Sequence, residues 1–239
     1  MKNKINTKTV MKSILYRFYS SIVTAIIGYS LTKNIKLSLS IGSIDFIIKI
    51  ATYYLFDSIW NKFFNKTIKP SVVFFTGLSG SGKTTIGKEV CDQLRKKGQK
   101  VIMLDGDEIR KFFPNTGFDE ASRKRHNLNV GYMASFFQQQ GVTCVVTMIA
   151  PYADVRDSIR ETCENYVEVY ISTPIDECER RDPKGLYKKV RNNEIKDFTG
   201  IHKSAPYESP KNPELFIDTI SHSKEECAKD ILNYIWKKI

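Results

Sequence analysis

Acidic residues are nearly missing from the first 69 positions of this 239-residue chain. That stretch holds 11 Lys/Arg against 2 Asp/Glu, a net charge of +9. The remaining positions hold 26 basic and 24 acidic residues, so the formal charge of +11 belongs almost entirely to the N-terminal segment. A basic excess spread over a whole chain points to nucleic acid. Confined to an otherwise apolar segment, it points to a membrane surface instead, and no nucleic-acid partner is expected. Metal and disulfide frameworks are missing as well. The five cysteines (Cys91, Cys144, Cys163, Cys178, Cys227) form no Cys-x-x-Cys pair, and His126, His202 and His222 show no ligand spacing. The thiols therefore read as reduced, small apolar residues of a cytosolic domain. No stretch is low-complexity, and the length suits one α/β domain plus an appendage.

The appendage is expected over residues 1–66. It carries two apolar runs, ILYRFYSSIVTAIIGYSLT (14–32) and LSLSIGSIDFIIKIATYYLF (37–56), predicted as helices over about 14–32 and 37–58. Each is long enough to cross a bilayer core. Lysines crowd the front (Lys2, Lys4, Lys8, Lys12) and the rear (Lys62, Lys66, Lys69), so both ends are expected in the cytoplasm, with lipid as partner. Tyr16, Tyr19, Tyr53, Tyr54 and Trp60 lie near the run ends, where interfacial aromatics belong. A second run following at once argues against a cleaved signal peptide. Asp45 and Lys49 interrupt the second run four residues apart, so they share a helix face and are expected to pair against a partner helix or an oligomer seam. A soluble helical hairpin is the competing reading. The segment resembles a small two-helix membrane domain found in bacteria.

From residue 70 to 239 the pattern alternates strand and helix, which predicts a doubly wound, mainly parallel α/β domain. SVVFFTG is a β-rich run, GLSGSGKTT follows it, and a helical pattern closes on Gly98. Gly77, Gly82, Lys83 and Thr84 fill the G-x-x-x-x-G-K-[ST] pattern of a P-loop, whose nucleotide contacts run from Gly77 through Leu78, Ser79, Gly80, Ser81, Gly82, Lys83 and Thr84 to Thr85. Glycines there let backbone N–H groups curl around an anion, and the following helix adds its dipole. ATP is the expected nucleotide. Lys83 would reach its β- and γ-phosphates, and Thr84 would hold Mg²⁺. Further strands are predicted at 100–105, 142–150, 166–173 and 215–219, with helices at 122–140, 153–162 and the C-terminus. Ligands of such sheets sit at the carboxyl ends of strands, which brings LDGDEIR (104–110) and MIAPY (148–152) beside the loop.

No NKxD-like guanine reader appears, and the mid-chain apolar run ends in IAPY where an ATPase motor would carry an acid. The acids of LDGDEIR are better placed to receive an acceptor hydroxyl, orienting it and taking its proton. From about residue 70 to the end the chain resembles the adenylylsulfate kinase (APS kinase) family. The resemblance is carried by GLSGSGKTT, LDGDEIR, GF (117–118), IAPY with Arg156, CERRDPKGLYKKVR (178–191), EIKDFTGI (194–201) and PYESPKNPE (206–214). It implies transfer of phosphate from ATP to the 3′-hydroxyl of adenosine 5′-phosphosulfate (APS). It also implies Asp107 at that hydroxyl, Asp105 supporting the metal or Asp107, and Arg110 and Arg123 on the phosphosulfate. Phe118 and Phe198 would clamp the adenine, with Ile149 and Ala150 lining its pocket; His126 and Asp197 would also bind the substrate, and Lys184 would close a basic lid. The family further suggests a homodimer.

Two departures stand against that pattern. The family helix after GF reads close to DR-x-EN-x-RR, whereas residues 122–129 read SRKRHNLN: Arg123 is kept, His126 takes the Asn position, and Leu128 and Asn129 replace two arginines. Ala150 stands where many members have Ser, which removes any phosphoenzyme at that position but not direct transfer. A same-fold kinase for another anionic nucleotide, such as a cytidine nucleotide of surface-polysaccharide modification, and a nucleotide-binding membrane scaffold without catalysis are the competing functions.

Overall fold

A computed structural model of the chain describes residues 7–64, 68–113 and 116–238. Lys2, Lys4 and Lys66 lie outside the described residues, as do the side chains of Lys8, Lys12, Trp60 and Lys62. The chain divides into two compact units, Met1–Lys66 and Thr67–Ile239.

The first unit is a helical hairpin of α1 (Thr7–Thr32) and α2 (Ile35–Phe64). The turn takes only two residues. Lys33 adopts φ 51°, and its N–H reaches Tyr29 O at 2.9 Å. The Asn34 side chain accepts from Leu37 N at 3.1 Å and starts the second helix. Both helices run longer than their apolar stretches, because the flanking polar residues continue the helical hydrogen bonding. The spans apolar enough to cross a membrane are Ile14–Thr32 and Ile35–Phe56. At about 1.5 Å per residue, such 19- and 22-residue spans match a hydrocarbon core of roughly 30 Å. The helices meet antiparallel through small residues: a Cβ on Gly42 would sit 2.9 Å from Ala25 Cβ, and one on Gly28 3.7 Å from Ser38 Oγ. Asp45 and Lys49 pair at 2.7 Å and face α1, where Ser21 Oγ donates to Asp45 at 2.9 Å and Lys49 donates to Ser20 Oγ at 2.8 Å.

The second unit is built on β1 (Val72–Thr76), β2 (Val101–Asp105), β3 (Thr143–Thr147), β4 (Tyr166–Ile171) and β5 (Leu215–Ile217), all parallel in the order β2-β3-β1-β4-β5. Every residue of β1 is buried, as a central strand covered on both faces requires. Its alternation divides the core. Val73 and Phe75 face α3 (Lys83–Lys96) and α9 (Lys224–Lys238), packing on Val90, Leu94 and Ile231. Val72 and Phe74 face α5 (Glu120–Gln139) and α6 (Ala153–Thr162), packing on Val130, Ala134 and Ile159. Doubly wound architecture and parallel sheet are thus as the alternation predicts.

The strand predicted over 142–150 stops at Thr147. Beyond it the carbonyls turn away from the ladder: Thr76 Oγ1 donates to Ile149 O at 2.7 Å, Arg156 Nη1 to Ala150 O at 2.7 Å, and Ala150 takes φ 44°. The last predicted strand is likewise shorter, 215–217, because Asp218 turns to accept from Ile220 N at 2.8 Å. All five cysteines are free, and four are buried.

Candidate active site

At the end of β1 the backbone enters a loop that only glycine accommodates at its corners. Gly77 has φ 148°, and a Cβ there would lie 2.6 Å from Ile171 O, while Gly80 and Gly82 take φ 75° and 106°. Lys83 opens α3 from inside this loop. Its ammonium donates to Gly77 O (2.9 Å), Leu78 O (2.6 Å) and Ser81 Oγ (3.3 Å), so the side chain folds back on its own cradle. Burial pushes its pKa down to about 8. A phosphate oxygen in the loop would offer this ammonium a better partner than neutral carbonyls.

Asp105 ends β2 and carries two tasks at once. One carboxylate oxygen caps the short helix α4 (Gly106–Arg110), accepting from Asp107 N at 3.1 Å and Glu108 N at 3.4 Å. The other accepts from Thr84 Oγ1 at 2.8 Å and Thr147 Oγ1 at 2.7 Å. Burial pushes this carboxyl up, but the two threonine and two backbone donors outweigh it and hold the pKa below the ordinary value. The parallel register sets Thr147 directly beside Asp105. Thr84 and Asp105 together form a hard oxygen donor set, which suits Mg²⁺ shared with nucleotide phosphates. Among the described residues no cluster of three or more His, Cys, Asp or Glu could hold a metal by itself.

Two residues past Asp105, Asp107 is exposed and forms an ion pair with Lys184. That lysine lies between α7 (Ile175–Arg181) and α8 (Leu186–Arg191). The loop carrying it is tied to the phosphate loop. The buried Tyr187 donates to Ser79 O at 2.9 Å, and Arg181 reaches Thr219 O at 2.9 Å and Ser81 O at 3.5 Å. Asp182 caps α8 by accepting from Tyr187 N and Lys188 N.

Opposite these elements, α4 and α5 supply the basic wall. Arg110 donates to Gly117 O at 3.0 Å and stacks on Phe118 with 4.7 Å to the ring centre. Arg123 donates to Asp197 O. His126 is buried, its Nε2 lies 3.0 Å from Gly106 O, and its Nδ1 has no partner. Burial, then the nearby Arg110, pushes its pKa below the ordinary histidine value. Phe198 is buried against Tyr187, with ring centres 5.0 Å apart, whereas Phe118 is 66% exposed.

A cavity of about 1570 Å³ joins these parts. Its wall includes Ser79, Gly80, Gly82, Lys83, Thr84 and Thr85 of the loop, then Asp105, Asp107 and Arg110. Phe118, Arg123, His126, Ile149, Ala150, Lys184, Asp197 and Phe198 complete the expected residues on it. Gly77, Leu78 and Ser81 are not on that wall: Ser81 is fully buried beneath the loop, and Leu78 packs toward the cluster of Cys178 and Tyr187. Sequence reasoning missed Thr147, Arg181 and Tyr187. The last two stand inside CERRDPKGLYKKVR, and nothing in that stretch alone separates them from its other basic and aromatic residues.

A parallel sheet of this order, a glycine loop with its lysine and threonine, and an acid across the cavity define a P-loop kinase, which transfers phosphate to a hydroxyl. The adenylylsulphate kinase family matches residues 69–218, and a family described as predicted membrane protein (DUF2061) matches residues 10–61. A probable adenylyl-sulfate kinase of Bacillus subtilis is 42% identical over 174 residues, covering 72% of this chain and 87% of that one. The Mycobacterium tuberculosis APS kinase solved with AMPPNP and APS is 36% identical with a TM-score of 0.67, covering 70% of this chain and 98% of that one. A hexameric APS kinase from Thiobacillus denitrificans is 28% identical with a TM-score of 0.55, covering 72% of this chain and 29% of that one. The chain belongs to the adenylylsulphate kinase family.

Proposed function

We propose that the protein transfers the γ-phosphate of ATP to the 3′-hydroxyl of adenosine 5′-phosphosulfate while its N-terminal hairpin holds it on a membrane. The observation that carries the reading is Asp107, which lines the same cavity as Lys83 and stands two residues beyond the carboxylate that meets Thr84. Asp107 orients the hydroxyl and accepts its proton. Lys83 and the loop N–H groups bind the β- and γ-phosphates. Thr84 and Asp105 would hold Mg²⁺, which would neutralise charge on those phosphates. Arg110 and Arg123 hold the anionic phosphosulfate, Phe118 and Phe198 contact the adenine with Ile149 and Ala150 around it, and His126 and Asp197 complete the substrate-binding set. Lys184 closes with its loop over the reacting groups and excludes water.

Two apolar spans and the match to a membrane-protein family support a two-pass anchor with the kinase in the cytoplasm. A dimer is the proposed assembly, in keeping with the family resemblance. His126 and Asn127 in the basic wall favour a second reading, an acceptor other than APS, because both carry a buried nitrogen without a partner. Steady-state ADP release with Mg²⁺ and ATP separates the two: turnover is expected with APS and not with cytidine nucleotides. Absence of turnover with APS refutes the first reading. A chain beginning at Lys69 is expected to leave the membrane fraction and keep its turnover number.

A further inference from the structure

The hairpin has two unlike edges. On helical spacing, Ser20 and Thr24 of α1 fall along one edge with Asp45, Lys49 and Thr52 of α2. The other edge is aromatic, where Phe18 and Phe46 meet edge to face at 6.0 Å. On the polar edge the ion pair faces α1 but stays open outward, its side chains 33% (Lys49) and 25% (Asp45) exposed. Lys49 carries three N–H donors, and Asp45 and Ser20 take two of them. In water such an edge is unremarkable. In a bilayer core an ion pair open to hydrocarbon is expensive, and such groups turn toward protein.

We propose that this polar edge is the seam by which two copies of the chain associate within the membrane, as an antiparallel four-helix arrangement about a two-fold axis. The inference rests on the membrane reading given above. Charge complementarity names a second copy as the occupant. In a two-fold interface each residue i meets j while j meets i. Asp45 of one copy then faces Lys49 of the other, and Lys49 faces Asp45, at the depth the pair holds inside one hairpin. The third donor of Lys49 reaches the open side of the second copy's Asp45 carboxylate, since the Ser21 and Thr24 hydroxyls already donate within their own hairpin. Both charges leave the hydrocarbon, and no lone charge is created.

The test uses the full-length chain, purified and reconstituted in vesicles of phosphatidylcholine and phosphatidylglycerol. The hairpin has no cysteine, and among the five of the kinase unit only Cys163 is not buried. Cys163→Ser with Lys36→Cys therefore gives one labelling point beside the turn for donor and acceptor dyes. Flotation with the vesicles is scored first, and a chain that stays at the bottom refutes the membrane reading itself. For floating protein, energy transfer above the random-proximity level is expected. Asp45→Leu/Lys49→Leu, which leaves no unpaired charge behind, is expected to weaken association about tenfold. The swap Asp45→Lys/Lys49→Asp keeps the pair and retains transfer, as does Phe18→Leu/Phe46→Leu on the opposite edge. Transfer no greater than random proximity in the unmodified hairpin, or full transfer in Asp45→Leu/Lys49→Leu, overturns the proposal.

Discussion

Lys184 reaches across 77 residues of chain to pair with the carboxylate of Asp107. The proposed proton acceptor is thereby occupied by the loop that would close over the substrates. The pair uses one of the two Asp107 oxygens, which leaves the other to accept from a substrate hydroxyl.

Replacing that acid separates chemistry from binding. Asp107→Ala is expected to lower turnover on the order of 10²–10⁴-fold, the contribution of a positioned proton acceptor. Nucleotide affinity is expected to stay within about threefold, since the loop and Lys83 are untouched. Steady-state ADP release paired with nucleotide titration reads both quantities. Near-normal turnover removes the proposed role of Asp107.

Lys83 supplies a pH signature. Its pKa is pushed down to about 8 by burial, below the ordinary value of about 10.4. Between those values the unfolded chain binds more protons than the folded one, so this group makes stability rise with pH across the window. Phosphate oxygens favour the ammonium, so ATP binding near pH 8.5 should draw a proton from solution. Calorimetry in two buffers of different ionisation heat should show this uptake, and Lys83→Ala should lose it. Equal heats in both buffers for the unmodified protein would contradict the assignment.

His126 acts in the acid range. Burial and Arg110 hold its pKa below the ordinary value of about 6.5. Between the two values the unfolded chain again binds more protons, so stability falls as pH drops through that window. Melting temperatures from pH 7 to pH 5 should decline less steeply in His126→Asn than in the unmodified chain. Parallel declines would show that this histidine does not titrate on folding.

Arg156 ties together the loop that carries Ala150. It is 3% exposed, lies 2.9 Å from Glu168, and donates to Ala150 O and to Glu208 O, each at 2.7 Å. Arg156→Met leaves two carbonyls and a buried carboxylate short of a partner, and about 3–5 kcal/mol of stability should be lost. Arg156→Met/Glu168→Gln should recover part of that loss, because the buried charge left with only Arg160, at 3.2 Å, is gone. Denaturant unfolding checks both, and equal stability of the two variants would show that Glu168 does not carry the penalty.

The alternation of elements, the parallel sheet and the phosphate loop were legible along the chain, because each depends on neighbours a few residues away. β1 reads as a buried strand from VVFFT itself, and GLSGSGKTT requires glycine where φ is positive whatever surrounds it. The strand over 142–150 was read too long because apolar residues persist to Ala150. Its true end depends on Thr76 and Arg156, which take the carbonyls that a ladder would have used. Asp105, expected in support of the metal or of Asp107, does two things. It is a cap with one oxygen and a partner of Thr84 and Thr147 with the other. Local spacing reveals the first oxygen, whereas the second is set by β3 lying between β1 and β2 in the sheet.

The same division applies in the hairpin. Spacing alone puts Asp45 and Lys49 on one face and makes them a pair, as 2.7 Å between them bears out. That Ser20 and Ser21 meet the pair depends on how two helices pack. Periodicity, turn chemistry and a loop pattern are properties of a short stretch and can be read from it. Which side chains meet across tens of residues is decided by strand order and helix packing, where many weak contacts act together and no short stretch records the outcome.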